Sequence, residues 1–168
     1  RIRLSIKGLG DFTKRIPGLR AGTPVFIDGP HGIFTSDNCG SSKVLLIAGG
    51  IGITPIRALS EEMSAGGKDV ILICANRNRS AIVFENELNE LAEKYGKSLK
   101  VIHVLSDDPG WTGEKGRLDK DKISSIVPDF SEREVFLCGP PMMMKSVRVS
   151  LSGLNVPDSK VHFEKFDL

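Results

Sequence analysis

The chain has 168 residues, with 23 Lys or Arg against 21 Asp or Glu and a formal charge of +2. That length fits one domain, or one domain and part of another, and the near-neutral balance makes no case for a nucleic-acid partner. Cys39, Cys74 and Cys138 form no C-x-x-C pair, and His31, His103 and His162 are scattered, so neither a disulfide framework nor a metal site is expected. Cysteine usage of this kind points to a reducing compartment, the cytoplasm. No apolar run reaches the about 18 residues of a membrane span, and no signal peptide is visible. The chain starts at Arg1 already inside a strand-like alternation, so it reads as part of something longer.

Ile2, Leu4 and Ile6 alternate with polar neighbours and predict a half-buried strand over residues 1–7. Gly8 to Asp11 is a turn, and Phe12 to Leu19 a short helix. Val25 to Ile27 is a second strand, and Asp28-Gly29-Pro30-His31-Gly32 a tight turn. The polar stretch Thr35 to Ser42 reads as a linker, with a domain boundary near residue 41.

From residue 42 the pattern alternates strand and helix. Strands are expected over Val44–Ala48, Val70–Ala75, Leu99–Leu105, Val135–Cys138 and Lys160–Glu164. Helices are expected over Pro55–Ala65, Phe84–Tyr95, Asp119–Ile126 and Pro141–Leu151, with Ser106 to Arg117 a long loop. Such alternation predicts an α/β domain built on a doubly wound, parallel, five-stranded sheet, with its ligand at the carboxyl ends of the strands.

The sharpest motif is Lys-Val-Leu-Leu-Ile-Ala-Gly-Gly-Ile-Gly-Ile-Thr-Pro, Lys43 to Pro55. A buried strand, a turn of Gly49, Gly50 and Gly52, and a helix opening at Pro55 together make an anion site, because unpaired N–H groups and the positive helix end point at one spot. Thr54 adds a hydroxyl. The same pattern also fits a bare glycine turn. After the second strand, Arg77 and Arg79 stand where an adenosine ribose would lie, with no acid along the chain until Glu85. Two cations there favour a 2′-phosphate and hence NADPH, against the reading of two solvated arginines. Cys138-Gly139-Pro140-Pro141 ends a buried strand and opens a helix. There a small thiol can pack against a nicotinamide, or be an inert core residue.

Together these motifs resemble the ferredoxin–NADP reductase superfamily: Ala48 to Pro55, then Cys138-Gly139-Pro140, then the tail His162-Phe163-Glu164-Lys165-Phe166. Ser5 to Thr13 and Asp28 to Phe34 look like the flavin domain of its ferric reductase and NADPH oxidase branch. The resemblance implies the C-terminal part of a partial antiparallel FAD-binding β-barrel over 1–41 and an NADP-binding domain over 42–168. It implies a flavoprotein oxidoreductase that moves hydride from NADPH to FAD and electrons on to heme, ferric iron or oxygen. Gly49, Gly50, Gly52, Thr54, Pro55, Gly139 and Pro140 would line the dinucleotide, and Arg77 and Arg79 would take its 2′-phosphate. Cys138, Glu164 and Phe166 would stand by the reacting rings, and Gly10 and Thr13 by the FAD phosphates. The family's main flavin motif lies on the strand ahead of residue 1, so FAD binding by this chain is expected to be weak or lost. The expected partners are the remaining barrel strands and a heme-bearing membrane domain of the parent. A soluble flavin reductase or electron-transfer subunit, and a non-catalytic nucleotide-binding module, are the alternatives.

Overall fold

The structure, a computed structural model, describes residues 4–29 and 31–165. The chain divides into two compact units, Arg1–Ile33 and Phe34–Leu168.

In the first unit a 3-10 helix spans Thr13–Gly18, within the short helix expected there. No strand forms among the described residues of this unit, so the expected partial barrel is not shown by them. Leu4, Ile6, Val25 and Ile27 are more than half exposed, and Phe26 is fully so. The alternation is there, but strand preference is a preference for a paired, half-covered surface, and these segments have no ladder partner.

The second unit is a six-stranded parallel sheet, one strand more than expected. Its strands are β1 (Lys43–Gly49), β2 (Asp69–Asn76), β3 (Leu99–Leu105), β4 (Glu114–Lys115), β5 (Glu134–Cys138) and β6 (Val161–Glu164). They lie in the order β4-β3-β2-β1-β5-β6. The additional strand is the two-residue β4, which pairs Glu114 and Lys115 with Val104 and Leu105. A charged pair at a sheet edge carries no hydrophobic period, which is why the sequence reads as loop there.

Four helices cover the sheet: α1 (Ile53–Ala65), α2 (Glu85–Tyr95), α3 (Lys120–Ile126) and α4 (Pro141–Gly153). Val44, Leu46 and Ala48 of β1 pack with α1 and α2, through Ile56, Leu59, Met63, Leu88 and Leu91. Leu45 and Ile47 pack with α3 and α4 on the other face, through Ile123, Ile126, Val147 and Leu151. Helices on both faces explain why β1 is an unbroken apolar run. Asp119 caps α3 by accepting from Lys122 N at 2.9 Å, satisfying one of the N–H groups a helix start leaves unpaired.

The stretch from Thr35 to Ser42, expected as a linker, belongs with Phe34 to the second unit and is held on it. Phe34 stands edge-on to Phe136 at 5.5 Å. Ser41 N–H donates to Glu134 at 2.9 Å, and Lys68 Nζ donates to the Cys39 and Ser41 carbonyls at 3.2 and 2.6 Å. Polar composition masked the anchors, since Phe34 and Cys39 are isolated apolar residues with no period.

The amino ends of the strands are tied by Arg133, which is 3 % exposed. Its guanidinium donates to Asp129 through Nε (2.8 Å) and Nη2 (2.9 Å), to Asp69 Oδ2 (3.0 Å), and to the Val44 and Asp69 carbonyls (3.2 and 3.0 Å). One side chain therefore joins β1, β2 and the turn before β5.

Candidate functional site

In the order β3-β2-β1-β5-β6 the direction of winding reverses between β1 and β5, and an open parallel sheet leaves a crevice beyond the carboxyl ends of such a pair. β1 runs through Gly49 into a 3-10 turn, Gly50–Gly52, and then α1; β5 runs through Cys138 and Gly139 into α4. Neither helix has a side-chain cap or an acidic residue in its first turn. Two helix amino ends, each with orphan N–H groups and a positive dipole end, meet at one edge of the sheet. Helix α1 begins at Ile53, so Pro55 is its third residue, not its first as expected. Its missing N–H still falls among the orphan donors.

The glycines here have separate reasons. A Cβ on Gly52 would overlap the Cys138 carbonyl and come within 2.7 Å of Gly139 N, so the two turns meet backbone on backbone. A Cβ on Gly139 would lie 2.7 Å from Met143 Cε and 3.1 Å from Gly49 N, and one on Gly49 would overlap the Met143 sulfur. Met143 thus closes over both turns, a role its place in a run of three methionines did not reveal. Gly50 differs: its φ is +52° and the space where a Cβ would point is open. Thr54 Oγ1 donates to the Ile51 carbonyl at 3.0 Å, which fixes the turn and leaves the hydroxyl only its lone pairs.

Arg77 and Arg79 follow β2 as expected, but they do not stand alone. Residues Asn76 and Leu105 are register partners, so the loop leaving β2 meets the loop leaving β3. Arg77 donates to Asp107 Oδ2 through Nε at 2.9 Å, and its Nη2 stands 2.9 Å from the same oxygen as an ion pair, while Asp107 N–H donates to the Arg77 carbonyl at 2.7 Å. Arg79 pairs with Glu85 at 3.4 Å, and its N–H donates to Asp108 at 3.0 Å. The stretch between Arg77 and Glu85 holds no acid, but two acids reach it from the neighbouring strand. An open pocket of about 230 Å³ lies beside them, lined by Leu105 to Pro109, Lys115 and Gly116.

Cys138 is the last residue of β5, opposite Glu164 of β6 and Ala48 of β1. Its thiol is fully buried, and burial, with the Glu164 charge adding to it, pushes the thiol up to about 12. Cys74 is pushed to about 12 by burial alone, and Cys39 is raised chiefly by burial. Burial thus favours the neutral thiol at all three positions. Among the described residues no group of His, Cys, Asp and Glu could hold a metal ion. Phe166 lies outside the described residues. His103 is half-buried, edge-on to Trp111 at 6.4 Å with both ring nitrogens shielded from solvent, and burial lowers its pKa: a neutral, structural ring.

Gly10 and Thr13 belong to the first unit and form one closed turn. Thr13 Oγ1 accepts from the N–H groups of Leu9 (3.0 Å) and Gly10 (2.9 Å) and donates to the Gly10 carbonyl (3.1 Å). The Gly10 N–H and the Thr13 hydroxyl are thus both engaged within this turn.

Residues 46–149 match the oxidoreductase NAD-binding domain family. The chain belongs to that family. It is 30% identical over 169 residues to the glycine betaine monooxygenase reductase subunit of Pseudomonas aeruginosa, covering 91% of this chain and 46% of that protein. It is 34% identical over 139 residues to the ferredoxin reductase component of the 3-ketosteroid-9-alpha-monooxygenase of Rhodococcus rhodochrous, covering 82% of this chain and 38% of that one. It thus spans less than half the length of these two relatives. The fold is that of the cytochrome b5 reductase domain of Ulva prolifera nitrate reductase, with a TM-score of 0.79, 23% identity, and coverage of 94% of this chain and 66% of that domain. The oxidoreductase NAD-binding domain is thereby placed in the ferredoxin–NADP reductase superfamily, as its motifs imply. Among the described residues no helix is long and apolar enough to cross a membrane.

Proposed function

We propose that this chain is the nicotinamide-dinucleotide half of a flavin-dependent oxidoreductase, acting as the reductase part of an electron-transfer system. The observation that carries this is the convergence of two uncapped, acid-free helix amino ends on the glycine turns at the switch point of the sheet. The pyrophosphate takes the N–H groups around Gly50 and the start of α1, where open space is left. Gly139, Pro140 and the edge formed by Cys138 and Glu164 take the nicotinamide end. Cys138 acts there by being small and neutral, not by titrating. The chain's part in the reaction is to orient the nicotinamide and exclude competing groups; splitting a hydride into single electrons is chemistry a bound flavin supplies.

The names of the relatives favour an electron-transfer subunit serving an oxygenase over heme, ferric iron or oxygen as direct acceptor. Full flavin binding, cytoplasmic location and any heme-bearing membrane partner belong to the whole protein. The decisive measurement is oxidation of NADH and NADPH by the whole protein that contains this chain, with added FAD and ferricyanide. A rate above that of free FAD supports the reading, and a rate equal to it removes the enzyme.

Of the two arginines, Arg77 is the expected 2′-phosphate ligand. Arg77→Ala is expected to weaken NADP⁺ binding by roughly tenfold and NAD⁺ binding by less than about twofold, the scale of one charge-assisted contact. Calorimetry with both nucleotides checks this, and equal losses would remove the assignment.

A further inference from the structure

We infer that Asp107 is a specificity-determining residue, a built-in competitor for the cation that reads the adenosine 2′ position. The inference rests on the nucleotide reading above and deepens it. The Nε–Nη2 edge of the Arg77 guanidinium faces one oxygen, Asp107 Oδ2, with a hydrogen bond from Nε at 2.9 Å and an ion-pair contact from Nη2 at 2.9 Å. That is the edge of an arginine best shaped to grip a phosphate or carboxylate. The arrangement is anchored from below, because Asp107 N–H donates to the Arg77 carbonyl at 2.7 Å and Ser106 N–H to the Asn76 carbonyl at 3.0 Å. The carboxylate therefore stays beside the arginine whichever nucleotide arrives.

The charges of the whole cluster decide the sign. Arg77 and Arg79 face Asp107, Glu85 and Asp108. With Lys115, which lines the pocket beside them, three cations stand against three carboxylates, a balance with no net positive charge to draw in a dianion. A 2′-phosphate can be accepted only by sharing or displacing the Arg77–Asp107 contact, with Asp107 a few ångströms away as a like charge. An unmodified ribose meets no such opposition. Asp107 thereby lowers the preference for the phosphorylated nucleotide that Arg77 alone would create, and the chain accepts both cofactors.

The pair is well exposed, with Arg77 at 77% and Asp107 at 59%, so D107N is expected to fold as the parent does. Asparagine keeps the backbone tie and an oxygen acceptor for Arg77 while removing the charge. The test uses 2′,5′-ADP and 5′-AMP, which differ only at the 2′ position, titrated into the full chain by calorimetry. D107N is expected to bind 2′,5′-ADP roughly tenfold more tightly, as expected for removing one like charge at such a distance in a water-exposed site. Its affinity for 5′-AMP stays within about twofold. The gain shrinks at high salt, and it vanishes in R77A/D107N. A ratio of affinities unchanged by D107N overturns the inference. So does weaker 5′-AMP binding, which would make Asp107 an acceptor for the ribose hydroxyls, or a gain that survives loss of Arg77. A parent chain that binds neither probe, nor NAD⁺ or NADP⁺, overturns the nucleotide reading as well. A parent that binds them with a ratio indifferent to Asp107 overturns the selector alone.

Discussion

Replacing Gly52 with alanine is expected to destabilise the protein by about 3 kcal/mol, the upper end for forcing an extra methyl into a packed place. For a chain of this size that is a fall in melting temperature of about 10 °C. The reason is the identity of the neighbour. The new Cβ meets the Cys138 carbonyl and Gly139 N, which are backbone at the end of β5 and cannot rotate away. Either α1 lifts or the Cys138 turn moves, and both carry the nucleotide site with them, so affinity for NAD⁺ or NADP⁺ should fall at least about tenfold. Gly50→Ala is the contrast. At φ +52° a non-glycine residue costs about 1–2 kcal/mol, but nothing stands where its Cβ would go. It should fold nearly as the parent does and lose binding, because the methyl enters the space kept for the phosphates. Thermal unfolding and calorimetry on the two variants separate these effects. Equal melting temperatures for Gly52→Ala and the parent would mean that the two turns do not touch.

Arg133→Ala should produce the other large loss, about 3–5 kcal/mol in urea denaturation, the cost of removing one partner from a buried ion pair. The variant takes a donor from the Val44 and Asp69 carbonyls and leaves the Asp129 carboxylate with Lys43 alone of its two cations. A lysine cannot replace it, since one ammonium cannot reach both acids and both carbonyls at once. The same contact has a pH signature. Hydrogen bonds from Arg133, assisted by Lys43 and opposed by burial, hold the Asp129 carboxyl below its ordinary value. A carboxyl depressed in the folded state stabilises above its unfolded pKa, near 4, and that stabilisation is lost as pH falls through the lower folded value. The parent should therefore lose stability below about pH 4, and Arg133→Ala should show a flatter acid limb. An acid limb unchanged in the variant would place the titration elsewhere.

The parallel domain was legible because its signals are local and strong. β1 is an apolar run bounded by glycines, and every helix after it starts or stops at a Pro, Gly or Asp that acts through backbone geometry. The glycine turn and the Cys138 turn could be named from sequence because strand, turn and helix are consecutive there. What could not be read was contact between distant segments. Asp107 reaches Arg77 only through the register of β2 on β3, Met143 reaches Gly49 only through the pairing of β1 with β5, and Arg133 is one charged residue among many until three strand ends surround it. Alternation at Leu4 and Ile6 and over Val25–Ile27 has a different limit: a period of two states which face a strand would bury, not that a partner is present to cover it.

The sheet also keeps two kinds of selection apart. Arg133 ties the amino ends of the strands, whereas the glycine turns and the acids facing Arg77 sit at the carboxyl ends, a strand length of roughly 20 Å away. Substitutions more than about 10 Å apart with no shared partner combine additively. The nucleotide edge can therefore be retuned from one cofactor to the other, one charge at a time, while the opposite edge supplies an unchanged margin of stability. In evolutionary terms, cofactor preference here is free to drift without dragging foldability along with it.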